Sequence, residues 1–173
     1  MENNSTIATL HNLLDYNAGK FTSGEIQLRK NLPDWIMKTQ SLQLKQVLQK
    51  YLNMVEEHVQ KMEGFFSAEN FTSLSLTNRI MQAFIEDTNE KLRNCTDPEV
   101  SDACLLASIQ GINHYKISIY GTASAFAGDL GMEKFATIFH ELEINEKNID
   151  DRLSQLAKYE INKKAEAPIR LSK

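Results

Sequence analysis

The chain has 173 residues, of which 19 are lysine or arginine and 23 are aspartate or glutamate, for a formal net charge of −4; this length suffices for one domain with a sizeable core. The nearly balanced charge argues against a general nucleic-acid-binding protein, which needs a basic face. The chain lacks a long apolar run, a signal-like N-terminus and a disulfide framework around Cys95 and Cys104, which predicts a reduced cytoplasmic protein with no membrane span.

Helical spacing of apolar residues dominates the chain, and no strand pattern of any length is present. The first helix is expected to begin after an N-cap at Ser5 or Thr6 and can kink near Pro33, and Gly131 is expected to end the fourth helix. The sequence therefore predicts an all-α antiparallel bundle of four long helices and one shorter helix. We expect one domain over residues 1–173, with a core of about 6–163 and a frayed tail over 164–173. The predicted helices cover about 6–37, 41–66, 76–93, 98–129 and 132–163.

Each predicted helix carries a polar residue in the middle of its apolar stripe. Glu25 is flanked by Phe21 and Leu28 and cannot easily turn to solvent if these neighbours are buried. Because the middles of antiparallel helices share roughly one level, such side chains are expected to converge in one layer. Carboxylates and a histidine inside a bundle are the ligands of a di-metal site, where the metal charge offsets the burial of the anions. The polar residues are Glu25, His58, Asp87, Asn113 with Lys116, and Glu146.

Each of these residues also has a simpler interpretation. A glutamate on an apolar stripe is more often at a bundle edge or paired with a cation, and a lone histidine is more often a hydrogen-bonded core residue. Lys116 can point into the layer, or it can lay its alkyl stem on the stripe with its amine in water. His11 has no evident partner, and His140 is expected at the surface. No phosphate-binding loop, nucleophile motif or zinc-binding spacing offers another chemistry.

Several segments of the chain match a known group of proteins. The most specific is QGINHYKISIYGTASAFAGDLG (110–131), in which His114, Tyr115, Tyr120 and the Gly-Thr after it match; SGEIQLRKNLP, LKQVLQKYL and NEKNIDDRLSQLA are weaker matches. From about residue 10 to 157 the chain thereby resembles the YciE/YciF-type ferritin-like stress proteins of bacteria. The resemblance implies a ferritin-like bundle, a homodimer and a di-iron-type site.

The resemblance also assigns individual ligand positions. Glu25 matches the glutamate of the first helix, Glu146 and Asp150 match the acids of the last helix, and Asp87 stands where the family tends to have a glutamate. The departures are Tyr51, at the histidine position of the second helix, and Asn113 and Lys116, at the two glutamate positions of a Glu-His-Tyr-Glu motif. Losing both of these glutamates removes the ligand pair that lies one turn apart on the fourth helix.

Three functional hypotheses follow. In the first, the chain is a ferritin-like protein with a degraded di-metal site in which Lys116 replaces the metal charge. Such a protein needs no cofactor and serves as a structural or interaction protein in stress physiology, with no catalytic activity assigned. In the second, Glu25, His58, Asp87 and Glu146 bind iron or manganese for oxidation or sequestration. In the third, the chain is a helical interaction bundle unrelated to ferritins, with its polar residues at scattered levels. The expected partner is a second copy of the chain, with no nucleic acid and no membrane.

Overall fold

A computed structural model describes residues 6–69 and 76–166. The chain folds into α1 (Leu10–Lys38), α2 (Leu42–Ala68), α3 (Arg79–Asn94), α4 (Pro98–Asp129) and α5 (Glu133–Leu156), followed by a π-helical turn (Ala157–Ile161) and a short α6 (Asn162–Ala165). Within the described residues no strand occurs, and the all-α prediction is confirmed. In the same part of the chain, no helix has both the length and the apolar character needed to cross a membrane.

Two helix starts differ from the prediction because other side chains cap them. The hydroxyl of Thr9 accepts a hydrogen bond from the Asn12 backbone N–H at 3.0 Å, so α1 begins at Leu10 rather than after Thr6; Ser5, the other predicted cap, lies outside the described residues. The Asn78 side chain accepts from the Met81 N–H at 2.9 Å, so α3 begins at Arg79 instead of 76. Each cap satisfies a backbone donor that the first helical turn leaves free.

The predicted end of α4 is confirmed, whereas the last predicted helix is not α-helical throughout. Gly131 has φ of 71°, and the N–H groups of Gly131 and Met132 bond to the carbonyls of Gly128 at 3.0 Å and Ala127 at 2.8 Å, which is the Schellman arrangement. The π-helical turn lies within the last predicted helix. It was not predicted, because the spacing of apolar residues does not reveal one extra residue in a turn. Part of the predicted tail, 164–165, is helical, and residues 167–173 lie outside the described chain.

The four long helices contact one another in the cyclic order α1, α2, α5, α4, and α3 packs outside them against α1 and α4. α3 runs parallel to α1: the Asn78 amide donates to the Lys20 carbonyl at 2.9 Å, and further along the Trp35 indole N–H donates to Asn89 at 2.8 Å. This helix carries the chain back along the bundle, so that α4 starts beside the α1–α2 turn, where the Asp102 carboxylate accepts from the Ser41 N–H at 2.6 Å. Neighbouring long helices are therefore antiparallel.

The core consists of two apolar clusters at opposite ends of the bundle, with polar residues between them. Each long helix passes from one cluster to the other across a polar position; in α1, for example, Phe21 and Leu28 belong to different clusters and Glu25 lies between them. The predicted common level is therefore present in the four long helices. Members of one cluster include Leu28, Trp35, Leu48, Val55, Ile112 and Leu153, and members of the other include Leu14, Phe21, Met62, Phe65, Ala123 and Phe139.

Candidate functional site

The side chains between the two apolar clusters form what we call the polar layer. None of its members is more than 1% exposed. Helical spacing brings them together, because residues three or four apart in α4 share one face. The polar layer contains Glu25 from α1, Tyr51 and His58 from α2, Asn113, Lys116 and Tyr120 from α4, and Glu146 from α5.

The Lys116 ammonium lies at the centre of the polar layer. Its Nζ is 3.0 Å from Glu25 Oε2 and 2.5 Å from Glu146 Oε1. It also donates to the Tyr51 hydroxyl at 3.2 Å. A lysine ammonium has three N–H donors, and here three acceptors surround it. The side chain is 1% exposed, which excludes the alternative in which the amine reaches water.

The remaining carboxylate oxygens in the polar layer accept hydrogen bonds from other members. Glu25 Oε1 accepts from the Tyr120 hydroxyl and lies 3.1 Å from His58 Nδ1. Because an ionised carboxylate only accepts, Nδ1 is the protonated nitrogen of His58 facing Glu25. Glu146 Oε2 accepts from the Tyr51 hydroxyl at 3.1 Å and from Asn113 Nδ2 at 2.6 Å. Glu25 Oε1 and Glu146 Oε2 therefore accept hydrogen bonds, whereas Glu25 Oε2 and Glu146 Oε1 have no hydrogen bond and are paired with the Lys116 ammonium by charge.

One ammonium faces two carboxylates, and the pKa values of the two acids shift in opposite directions. Burial raises the pKa of Glu25, but the Lys116 charge and the hydrogen bonds from His58 and Tyr120 outweigh it and bring this pKa to about 2. For Glu146, burial and the Glu25 charge raise the pKa above 4.5 despite Lys116. Burial lowers the pKa of Lys116, but the charges of Glu146 and Glu25 outweigh it and raise this pKa above 10.5. The polar layer thus contains a buried ion pair, Glu25 with Lys116.

The low pKa of Glu25 predicts how acid destabilises the fold. Since the folded pKa of about 2 lies below the ordinary glutamate value of 4.5, the stabilising contribution is full above pH 4.5 and is lost as the pH falls towards 2. At about 1.4 kcal/mol per pKa unit, this loss is on the order of a few kcal/mol. In Glu25→Gln we expect this part of the acid dependence to vanish. Urea unfolding of the parent and of Glu25→Gln from pH 2 to 7 tests this expectation. The control is Asp34→Asn, because Asp34 pairs with Lys38 at the exposed surface. Equal pH slopes in the parent and Glu25→Gln would contradict the expectation.

Asp87 does not belong to the polar layer, and its prediction as a site residue was wrong. Its side chain is 56% exposed and pairs with Lys91 at 2.6 Å on the outer side of α3. The inward face of α3 is formed by Met81, Ile85 and Thr88. Because α3 packs outside the four long helices, only a narrow stripe of its surface is covered.

The residues that match the family around position 115 lie at different depths. His114 is 66% exposed, and its Nε2 is 3.1 Å from Asp150 Oδ1 on the outside of the α4–α5 pair. Tyr115 is half-buried and accepts a hydrogen bond from Asn78 Nδ2 at 3.1 Å, next to α3. Tyr120 alone of these residues reaches the polar layer. His114, Tyr115 and Asp150 therefore do not contribute to it.

A second cluster of charged residues, missed by the sequence analysis, lies where α1 begins and α2 ends. His11 Nδ1 is 2.8 Å from Asp15 Oδ2, and His11 Nε2 is 3.2 Å from Glu69 Oε2. The interpretation of His11 as unpartnered was therefore wrong. The i, i+4 spacing of His11 and Asp15 was a signal for the local pair, but Glu69 is distant in sequence. His140 is 60% exposed, as predicted.

The polar layer does not fit a resident di-metal centre. One ligand atom from each of Glu25, His58 and Glu146 lies within 4.8 Å of the others, which is close enough for a single cation. However, the Lys116 Nζ already contacts one oxygen of each of the two carboxylates. Di-metal sites of helical bundles draw on four glutamates and two histidines, whereas here α4 contributes an amide and an amine.

Four long antiparallel helices with a layer of buried ionisable groups across their middle define a ferritin-like helical bundle. The chain belongs to the family described as "Domain of unknown function (DUF892)", which matches residues 9–166. It is 31% identical over 145 residues to protein YciF of Escherichia coli (strain K12), covering 83% of this chain and 87% of that protein.

Two solved structures share this fold. The crystal structure of the E. coli stress protein YciF matches with a TM-score of 0.84 and 28% identity, covering 91% of this chain and 99% of that chain. YcfI from Rhodopseudomonas palustris matches with a TM-score of 0.83 and 24% identity, covering 87% of this chain and 96% of that chain. The family resemblance noted in the sequence is thereby confirmed.

Proposed function

We propose that this chain is a YciF-like ferritin-fold protein in which a buried ammonium takes the place of a metal, and that it acts as a structural or interaction protein without redox chemistry. The observation that carries the proposal is the position of the Lys116 ammonium, which forms ion pairs with Glu25 and Glu146 and donates a hydrogen bond to Tyr51. A fixed positive charge offsets the burial of the two carboxylates, which would otherwise be strongly destabilising.

The direction of the hydrogen bonds supports the same proposal. Within the polar layer α4 supplies donors: the Lys116 ammonium, the Asn113 amide, which also donates to the Glu146 backbone carbonyl at 3.0 Å, and the Tyr120 hydroxyl. α1 and α5 supply the acceptors, Glu25 and Glu146. A metal ion would have to compete with these donors for the same lone pairs, because carboxylate oxygens bind either hydrogen or metal along these directions.

Metal analysis tests the proposal. Protein purified without chelators, in a His11→Ala background that removes the second charged cluster, is expected to contain no stoichiometric iron, manganese or zinc. His11 is 44% exposed, so this background should fold normally. One tightly held ion per chain that is lost in the additional variant His58→Gln would contradict the proposal.

A second candidate function is that of a metalloprotein. This candidate is favoured by the proximity of Glu25, His58 and Glu146; Asp87 is not part of this group. It requires Lys116 to lose its proton or to leave the polar layer. Added Mn²⁺ or Fe²⁺ would then raise the melting temperature of the His11→Ala protein, since a ligand that binds only the folded state stabilises it. Absence of this increase at millimolar metal would rule the candidate out.

The physiological setting is also part of the proposal. The E. coli relative is called a stress protein, and we extend that setting to this chain. Homodimerisation, a cytoplasmic location and the lack of nucleic-acid partners stay predictions; light scattering of the purified chain tests the dimer directly.

A further inference from the structure

We infer that His11, Asp15 and Glu69 form a second site, separate from the polar layer, that binds one divalent transition-metal cation and links the start of α1 to the end of α2. His11 and Asp15 lie one turn apart on α1, and Glu69 follows the last residue of α2. One ligand atom from each of the three side chains lies within 4.8 Å of the others.

The state of Asp15 points to a missing ligand. The residue is only 7% exposed, and its Oδ2 faces His11 Nδ1 at 2.8 Å, so the carboxylate is directed into the cluster. Its other oxygen, Oδ1, is buried and has no hydrogen-bond partner. A buried acceptor without a donor is costly, and a bound cation would satisfy it.

The ligand chemistry and the access differ from those of the polar layer. One imidazole and two carboxylates suit Zn²⁺, Mn²⁺ or Fe²⁺, and water would complete the coordination. Among the described residues, the ion pairs of Asp15 and Glu69 involve His11 and no lysine or arginine. His11 is 44% and Glu69 21% exposed, so a cation can enter from solvent without opening the core.

Zinc titration of the tag-free protein by calorimetry tests the inference. We expect one Zn²⁺ per chain, with affinity reduced at least about tenfold in His11→Ala and in Glu69→Gln, on the scale of losing metal-site interactions. The matched control is His114→Ala, because His114 also pairs with an aspartate, at 3.1 Å, but among residues 6–69 and 76–166 no third side chain completes a metal-binding group with this pair. Zinc should raise the melting temperature of the parent and of His114→Ala, but not that of His11→Ala.

The outcomes separate this inference from the proposed function. No stoichiometric binding by the parent, or equal binding by the parent, His11→Ala and Glu69→Gln, would overturn the second site. Zinc that persists in His11→Ala and disappears in His58→Gln would place the ion in the polar layer, and would overturn the proposed function as well. Circular dichroism of each variant confirms that it is folded before titration.

Discussion

Replacing Lys116 by methionine is expected to lower the free energy of unfolding at pH 7 by about 3–5 kcal/mol, the scale found when one partner of a buried ion pair is removed. Methionine keeps most of the side-chain length, so the main change is the loss of charge. Glu25 and Glu146 are then left in a site where neither is more than 1% exposed. Chemical denaturation of the parent and Lys116→Met measures the difference.

Two comparisons distinguish charge from packing in this experiment. Lys147→Met removes an ammonium that is 48% exposed and pairs with Glu143 at 2.5 Å, and we expect it to change stability by less than about 1 kcal/mol. In Lys116→Met the ammonium no longer lowers the pKa of either buried carboxylate, so we expect both folded pKa values to lie above the ordinary glutamate value of 4.5. Such acids gain relative stability as the pH falls through their folded pKa, so the effect of Lys116→Met should shrink towards pH 4.

A further variant tests the same reasoning without changing pH. Lys116→Met combined with Glu25→Gln and Glu146→Gln removes the buried anions together with the cation. We expect this triple variant to be more stable than Lys116→Met alone, because neutral amides leave no uncompensated charge. If Lys116→Met destabilises no more than Lys147→Met, or if its effect is the same at pH 4 and pH 7, the ammonium does not have the proposed role.

The sequence predicted the polar layer better than its chemistry. Glu25, His58 and Glu146 each interrupt an apolar stripe, so the pattern indicated a buried polar layer, while it left open a position at the edge of the bundle. The orientation of Lys116 could not be predicted, because a lysine on a stripe can reach water or bury its amine. What decides it is the presence of two acids at the same level on α1 and α5, which is a tertiary fact.

The errors have a similar origin. Asp87 was predicted to face inward because its helix has an apolar stripe, but α3 packs on the outside, where its inner face is narrow and position 87 is exposed. The partner of His11 was missed because Glu69 is brought near only when α1 and α2 pair. Local spacing fixes which residues share a helix face, and it does not fix how much of that face is covered.

Introducing glutamate at both positions 113 and 116 is expected to make the fold depend on metal. The variant Asn113→Glu/Lys116→Glu, made in the His11→Ala background, would bring four carboxylates and His58 together with no buried cation. Like charges confined in one buried layer destabilise strongly, so we expect a larger loss of stability in chelator than for Lys116→Met. A divalent metal bound by carboxylates and imidazole would offset this repulsion.

Thermal unfolding with EDTA or with added Mn²⁺ measures this dependence on metal. The matched control is Asn113→Gln/Lys116→Gln in the same background, because neutral amides neither repel one another nor attract a cation strongly. We expect Mn²⁺ to raise the melting temperature of the glutamate variant and not that of the glutamine variant. A glutamate variant that is equally stable with and without metal would show that the side chains at positions 113 and 116 do not by themselves control metal binding. Metal-dependent stability would instead mean that the side chains at positions 113 and 116 decide whether the polar layer is stabilised by a metal or by an ion pair.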